Sequence, residues 1–231
     1  MGLCHKMSKF ILGTAQFGIP NYGIKHDGQP SVEEIEKIAQ VAWDGGIRTI
    51  HTSWQYNLPR VCDAIFDGFE RVEKDKVNPQ TFRWNDKIGY SLYNTDQLKS
   101  VFEQMPLIVP ANILDKRFLR FKTYNVILIA RSVFLQGLLL MDELPIWIPS
   151  DVNSKMDEFR IICKSYGLKP YEAALGWVLG LDEIDKVIIG VNSADQLAQL
   201  LEVEPLKWDY NFSITDEDVL DPRRWPNAGI S

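Results

Sequence analysis

Strand-length apolar runs alternate with capped, amphipathic helices along this chain, and the alternation breaks once. "KFILGTAQFG" reads as a buried strand that ends in glycine and passes into a loop. Ser31 and Glu34 then form an S-x-x-E capping box. Behind it, Val32, Ile35, Ile38, Ala39 and Ala42 share one helical face, and Gly45-Gly46 stops the helix. "IRTIHTS" is the next strand, so the chain opens with a β-α-β unit, which favours a parallel sheet. Further strands follow in "KIGYSLYN", "PLIVPANIL", "NVILIARSVF" and "KVIIGV". Pro170 starts one late helix and Ser193 caps another.

The break lies between Tyr56 and Lys87. "RVCDAIFDGFERV" suits a helix, but "EKDKVNPQTFRWND" is polar, contains Asn78-Pro79 and reads as a loop with no strand. A full eight-unit (β/α) barrel spends about 31 residues per unit. Two units' worth of chain is therefore missing. With no antiparallel hairpin signal, about six strands alternating with helices fit α/β architecture, as an open sheet or, on the pattern of a (β/α) barrel, an incomplete one. Such a barrel must close smaller, stay open or pair its bare edges with another chain, so a homo-oligomer is expected.

No composition shift divides residues 1–231, which read as a single domain. The 45% apolar and 24% charged content is that of an ordinary globular chain. A net charge of −6 argues against nucleic acid or an anionic membrane as a bulk partner. Cys4, Cys62 and Cys163 are odd in number and far apart, and they make no metal pattern with His5, His26 or His51. Reduced thiols and a start without a long apolar stretch imply a cytoplasmic protein and no metal. The acidic cluster of Asp182, Glu183 and Asp185 reads as a solvated turn.

"ILGTAQFG", "YGI", "GIRTIHTSWQY", "IGYSLYN", "VPANILDKR", "RSVFLQGLLL" and "VIIGVNSADQL" occur in the order found in aldo/keto reductases. The chain resembles that family over roughly residues 9–70 and 87–203, and most resembles a bacterial-type subgroup linked with surface-sugar biosynthesis. The resemblance implies a TIM barrel with its site at the C-terminal strand ends. It also implies hydride transfer between NADP or NAD and a carbonyl or alcohol, here a small or sugar-derived molecule. Segment 71–86 then replaces the family's third and fourth β/α units.

In that family a tyrosine gives the proton, a lysine lowers its pKa, an aspartate pairs with the lysine, and a histidine orients the carbonyl. By resemblance Tyr56 falls on the tyrosine and His51 on the aspartate. The lysine and histidine belong to the missing units, and none of Lys74, Lys76 and Lys87 sits in a strand-end pattern. On the cofactor side the resemblance places Ser91 and Asn94 at the nicotinamide and Ser132, Leu135 and Gly137 at the pyrophosphate. Gly190, Asn192, Ser193, Gln196 and Gln199 fall at the adenosine phosphate, where a helix N-terminus suits an anion. Ile108 replaces a glutamine and Ala111 the ring that stacks on nicotinamide. Asn192 stands where an arginine often holds the 2′-phosphate, which weakens the expectation of NADP. Two functions remain open: an oxidoreductase with an eroded catalytic set, and an inactive pseudoenzyme that binds cofactor or a protein partner.

Overall fold

A computed structural model describes residues 8–24, 28–78, 80–100, 105–124 and 126–226. Cys4, His5 and His26 lie outside these residues, as does the end of the helix expected after Thr95. Eight strands form a closed barrel in sequence order: β1 (Phe10–Gly13), β2 (Thr49–Thr52), β3 (Glu70–Lys74), β4 (Thr81–Trp84), β5 (Lys87–Ser91), β6 (Pro106–Pro110), β7 (Ile127–Arg131) and β8 (Lys186–Gly190). β8 closes on β1 with Phe10 opposite Val187 and Gly13 opposite Gly190.

The expectation of about six strands is corrected here. The segment read as a polar loop holds β3 and β4, and β3, β4 and β5 run up, down and up. The connector between β4 and β5 is the pair Asn85-Asp86, with Trp84 opposite Lys87 and Asn85 in the left-handed region (φ 52°). Two-residue links of this kind need such residues. One antiparallel strand and two hairpins thus complete the circle where two β/α units are missing. Closure leaves no bare sheet edge, which removes the physical reason for the expected association.

The barrel interior is filled by Ile11, Val72, Phe82, Ile108 and Ile129, with Trp84, Ile127 and Ile188 against them. Gly89 makes room for this packing: a Cβ there would lie 2.3 Å from the Phe82 ring and 2.3 Å from the Pro106 carbonyl. Alternate residues face outward, and Leu12, Ile50, Leu107, Val109, Leu128 and Val187 pack under the helices. Those helices are α1 (Ala15–Gly18), α2 (Val32–Asp44), α3 (Cys62–Ile65), α4 (Ser150–Ser165), α5 (Pro170–Leu179), α6 (Ala194–Leu201) and α7 (Glu217–Leu220). The helix expected over "RVCDAIFDGFERV" shrinks to α3, and its last residues belong to β3.

On the hairpin side the outer face meets water, and Glu73, Arg83 and Ile88 are exposed. No helix among the described residues is long and apolar enough to cross a membrane. Cys62 and Cys163 are buried free thiols, and burial pushes both above the ordinary thiol range, Cys163 to about 11.

Candidate active site

Six of the seven strands that run upward end around one cavity of about 880 Å3. Gly13, His51, Lys74, Ser91, Arg131 and Gly190, at or one residue from the ends of β1, β2, β3, β5, β7 and β8, all line it. That volume lies within the range of small-molecule and cofactor sites. β4 runs the other way, so its C-terminal end points away from the cavity.

Lys74 corrects a sequence reading. It is the last residue of β3, at the cavity end of the strand, and not part of a loop. The register places Glu73 beside Thr52 of β2, so Lys74 rises next to the His51 strand end.

His51 is buried, and its carbonyl accepts hydrogen bonds from the Thr14 backbone N–H and hydroxyl, each at 3.1 Å. Burial, with Lys74 and Arg131 nearby, lowers its pKa to about 3. His51 is therefore neutral at physiological pH and offers no charge to a lysine.

Tyr56 ends a 3₁₀ turn (Trp54–Tyr56) that Ser53 caps by accepting from the Gln55 N–H. Asn57 (φ 50°) turns the chain away, and Gly18 lets α1 lie on this turn, since a Cβ there would fall 1.7 Å from the Tyr56 carbonyl oxygen. The His51 and Tyr56 rings stand 6.2 Å apart. Tyr56 is a reluctant acid: burial of its hydroxyl pushes the pKa well up, Tyr22 and Tyr93 push the same way, and Arg131 only offsets them.

Tyr93 is in the opposite position. Arg131 and Arg223 lie over its ring with guanidinium carbons 4.1 and 3.7 Å from the centroid, and the Lys74 ammonium is 5.9 Å from it. Arg131 lowers the Tyr93 pKa most, burial opposes it, and the charges of Lys74 and Arg223 lower it further. The backbone here is pinned: the Tyr93 N–H donates to Gln97 Oε1 at 2.7 Å, and its carbonyl accepts from Arg117 at 3.4 Å. Arg117 is itself held by both oxygens of buried Asp115. Arg223 arrives from a 3₁₀ turn (Pro222–Arg224) in the tail expected to be irregular, anchored through Asp221.

The loop after β7 carries strained backbone. Ser132 (φ 55°), Leu135 (φ 45°) and Gln136 (φ 54°) are left-handed without being glycine, and Gly137 follows at φ 94°. Such conformations cost about 1–3 kcal/mol each and cluster at ligand sites. The Gln136 carbonyl accepts from the Ile24 N–H at 3.0 Å, which ties this loop to the one after β1.

Ser132, Gly137, Gln196 and Gln199 line the cavity, as do Ser91, Gly190 and Asn192. Leu135 is wholly buried in the core, and Ile108 packs in the barrel interior. Ser193 is occupied as the α6 cap, accepting from the Gln196 N–H at 3.2 Å, while Gln196 Oε1 accepts from the Asn192 N–H at 2.8 Å. The expected capping box at α2 is only half made. Ser31 accepts from the Glu34 N–H, but the Glu34 carboxylate reaches across and accepts from the Ala194 N–H, the first amide of α6, at 2.8 Å.

Among the described residues, four buried side-chain polar atoms have no partner: His51 Nε2, Arg131 Nε, Asn94 Oδ1 and Asn192 Oδ1. His51, Arg131 and Asn192 line the cavity, and Asn94 follows Tyr93 in sequence. Burying such a group unpaired costs about 1–3 kcal/mol. Three of the four thus gather at one cavity, where each is left to be satisfied by something other than the protein. No group of His, Cys, Asp and Glu suited to a metal occurs among the described residues.

Sequence reasoning missed Lys74, Tyr93, Arg131 and Arg223 as members of the site. The local signal for Lys74 was the alternation in "ERVEK", and for Arg223 there was none.

No protein-family model and no curated protein matches the chain. Among solved structures it is similar to the glycerol dehydrogenase AKR11B4 from Gluconobacter oxydans, at TM-score 0.60 and 16% identity, over 96% of this chain and 93% of that one. It is also similar to the holo form of the aldo-keto reductase AKR11C1 from Bacillus halodurans, at TM-score 0.57 and 15% identity, over 87% and 89%. This chain shares the barrel fold of those aldo-keto reductases.

Proposed function

We propose that the chain is a nicotinamide-dependent oxidoreductase of the aldo-keto reductase type that reduces a carbonyl or oxidises an alcohol. The observation that carries this reading is the set of unpartnered buried atoms, His51 Nε2, Arg131 Nε and Asn192 Oδ1, around one cavity at the strand ends. The likeness in fold to two such enzymes supports it.

The residues fit a dinucleotide. Ser91 stands where a carboxamide would bond, and the loop of Ser132 to Gly137 offers backbone to a pyrophosphate. Asn192, just before α6, and Gln196 and Gln199 of that helix line the same cavity. When bound, the cofactor supplies hydride. The protein's share is to hold the carbonyl, exclude water and move one proton, with neutral His51 offering Nε2 to the carbonyl oxygen.

The cofactor we infer is NAD over NADP. Glu34 already places a carboxylate on the first amide of α6. A second anion there, the 2′-phosphate, meets like charge, and Asn192 brings no cation to offset it. The subgroup linked with surface sugars suggests a sugar-derived carbonyl.

A second reading, a cofactor-binding pseudoenzyme, is favoured by one observation: neutral His51 and reluctant Tyr56 cannot perform the roles of an acidic partner and a proton donor. Thermal-shift titration with NADH and NADPH, followed by NADH oxidation with nitrobenzaldehyde, separates the readings. A rising melt with turnover supports the enzyme, and a rising melt without turnover supports the pseudoenzyme. A melt that ignores both cofactors defeats both.

A further inference from the structure

We propose that the Tyr93 hydroxyl, set among Lys74, Arg131 and Arg223, is the acid that gives a proton to the bound carbonyl oxygen, and that Tyr56 is not. The proposal rests on the reading of the cavity as a hydride-transfer site.

Proton donation leaves a phenolate behind, so a good donor needs cations already in place around its oxygen. Three cations stand against the Tyr93 ring in the cavity, from three separate elements: Lys74 from β3, Arg131 from β7 and Arg223 from the C-terminal turn. Both guanidinium carbons lie within 4.1 Å of its ring centroid, and the lysine ammonium is 5.9 Å from it. The other ionisable groups around Tyr93 are Tyr22 and Tyr56, uncharged at neutral pH, and Asp221, whose carboxylate is held by Arg223. Arg131 is not neutralised by a carboxylate: its N–H groups go to the Ser132 hydroxyl and the Leu92 carbonyl, and Nε has no partner. The local field therefore favours negative charge on Tyr93. Tyr56, half-buried with two other phenols near it, has only Arg131 to offset them.

In the step, the carbonyl carbon gains hydride, with two electrons, from a reduced nicotinamide. The carbonyl oxygen gains the proton of Tyr93, giving an alcohol. The cofactor leaves oxidised, and the Tyr93 phenolate recovers its proton from water. The lysine that serves the donor thus sits on β3, while the donor has moved from the loop after β2 to the loop after β5.

The test needs no cofactor at first. Tyrosinate absorbance is followed against pH in the wild type, Tyr93→Phe, Tyr56→Phe and Lys74→Met. Phenylalanine keeps the ring on which the guanidinium groups stack, so the variant retains that packing. We expect one tyrosine to ionise below the ordinary value of about 10. This early phase should vanish in Tyr93→Phe, persist in Tyr56→Phe and move to higher pH in Lys74→Met. An early phase absent from the wild type, or lost only in Tyr56→Phe, overturns the assignment whatever the cofactor does.

The second arm uses NADH with nitrobenzaldehyde. Tyr93→Phe should keep the NADH-induced rise in melting temperature and lose about 10²–10⁴-fold in turnover. Wild-type turnover in Tyr93→Phe overturns the proposal. A wild-type melt unmoved by NADH defeats the hydride-transfer reading instead, and the tyrosinate titration still judges Tyr93.

Discussion

Lys74 closes the third strand of the barrel, and its ammonium stands 5.9 Å from the Tyr93 ring centroid, making the strand-end lysine a partner of Tyr93. Removing that charge should make the Tyr93 phenolate harder to form. The sign for stability follows. Tyr93 has a folded pKa below its unfolded value near 10, so its phenolate stabilises the folded state above that value and the contribution is lost as pH falls through the folded pKa. The melting temperature of the wild type relative to Tyr93→Phe should therefore rise as pH approaches 10. A constant difference across that range would refute it.

His51 predicts a dependence at the acid end. Its folded pKa of about 3 lies below the unfolded value of 6.5, so only the unfolded chain takes up this proton between those limits. The wild type should lose stability as pH falls from 6.5 toward 3, by up to about 1.4 kcal/mol per unit from this group alone. His51→Gln lacks the titrating ring and should flatten that slope in denaturant melts. An unchanged slope would show that other groups set it.

The Glu34 link to α6 predicts cofactor choice. The wild type should bind NADH more tightly than NADPH. Glu34→Gln keeps a hydrogen-bond acceptor for the Ala194 N–H and removes the charge. It should raise NADPH affinity several-fold, because a like charge leaves the helix N-terminus, and leave NADH affinity nearly unchanged. Fluorescence titration of both cofactors checks this, and equal gains for the two would place the effect elsewhere.

Most of the barrel was legible because its strands are sandwiched between interior and helices. β6 and β8 are apolar runs, and the helices that follow β1 and β8 carry caps at Ser31 and Ser193 that can be read directly. β3 and β4 were not legible because their outward residues face water. In Glu70–Lys74 only Val72 is fully buried, and in Thr81–Trp84 only Phe82 is. A short polar alternation of that kind looks like a loop unless the two-residue link Asn85-Asp86 is weighed as a hairpin. The site suffered the same loss. His51, Tyr56 and the glycines sit in local motifs. Tyr93, Arg131 and Arg223 acquire meaning only when closure brings β5, β7 and the C-terminal turn to one point.

The hairpin closure is itself testable at Gly89. An added Cβ would lie 2.3 Å from the Phe82 ring and 2.3 Å from the Pro106 carbonyl oxygen. The ring can turn only into the filled barrel interior, and the carbonyl belongs to the next strand, so β5 and β6 must part. Gly89→Ala should cost about 1–3 kcal/mol by overpacking. For a chain of this size that lowers the melting temperature by about 2–4 °C per kcal/mol. Phe82→Ala should cost more alone, about 3–5 kcal/mol, by opening a cavity. Combined with Gly89→Ala it should recover part of the loss, because the new methyl enters the space that the ring has left. Additive losses in the double variant would mean that Phe82 and Gly89 do not share that space, and that the hairpin does not close the barrel in this register.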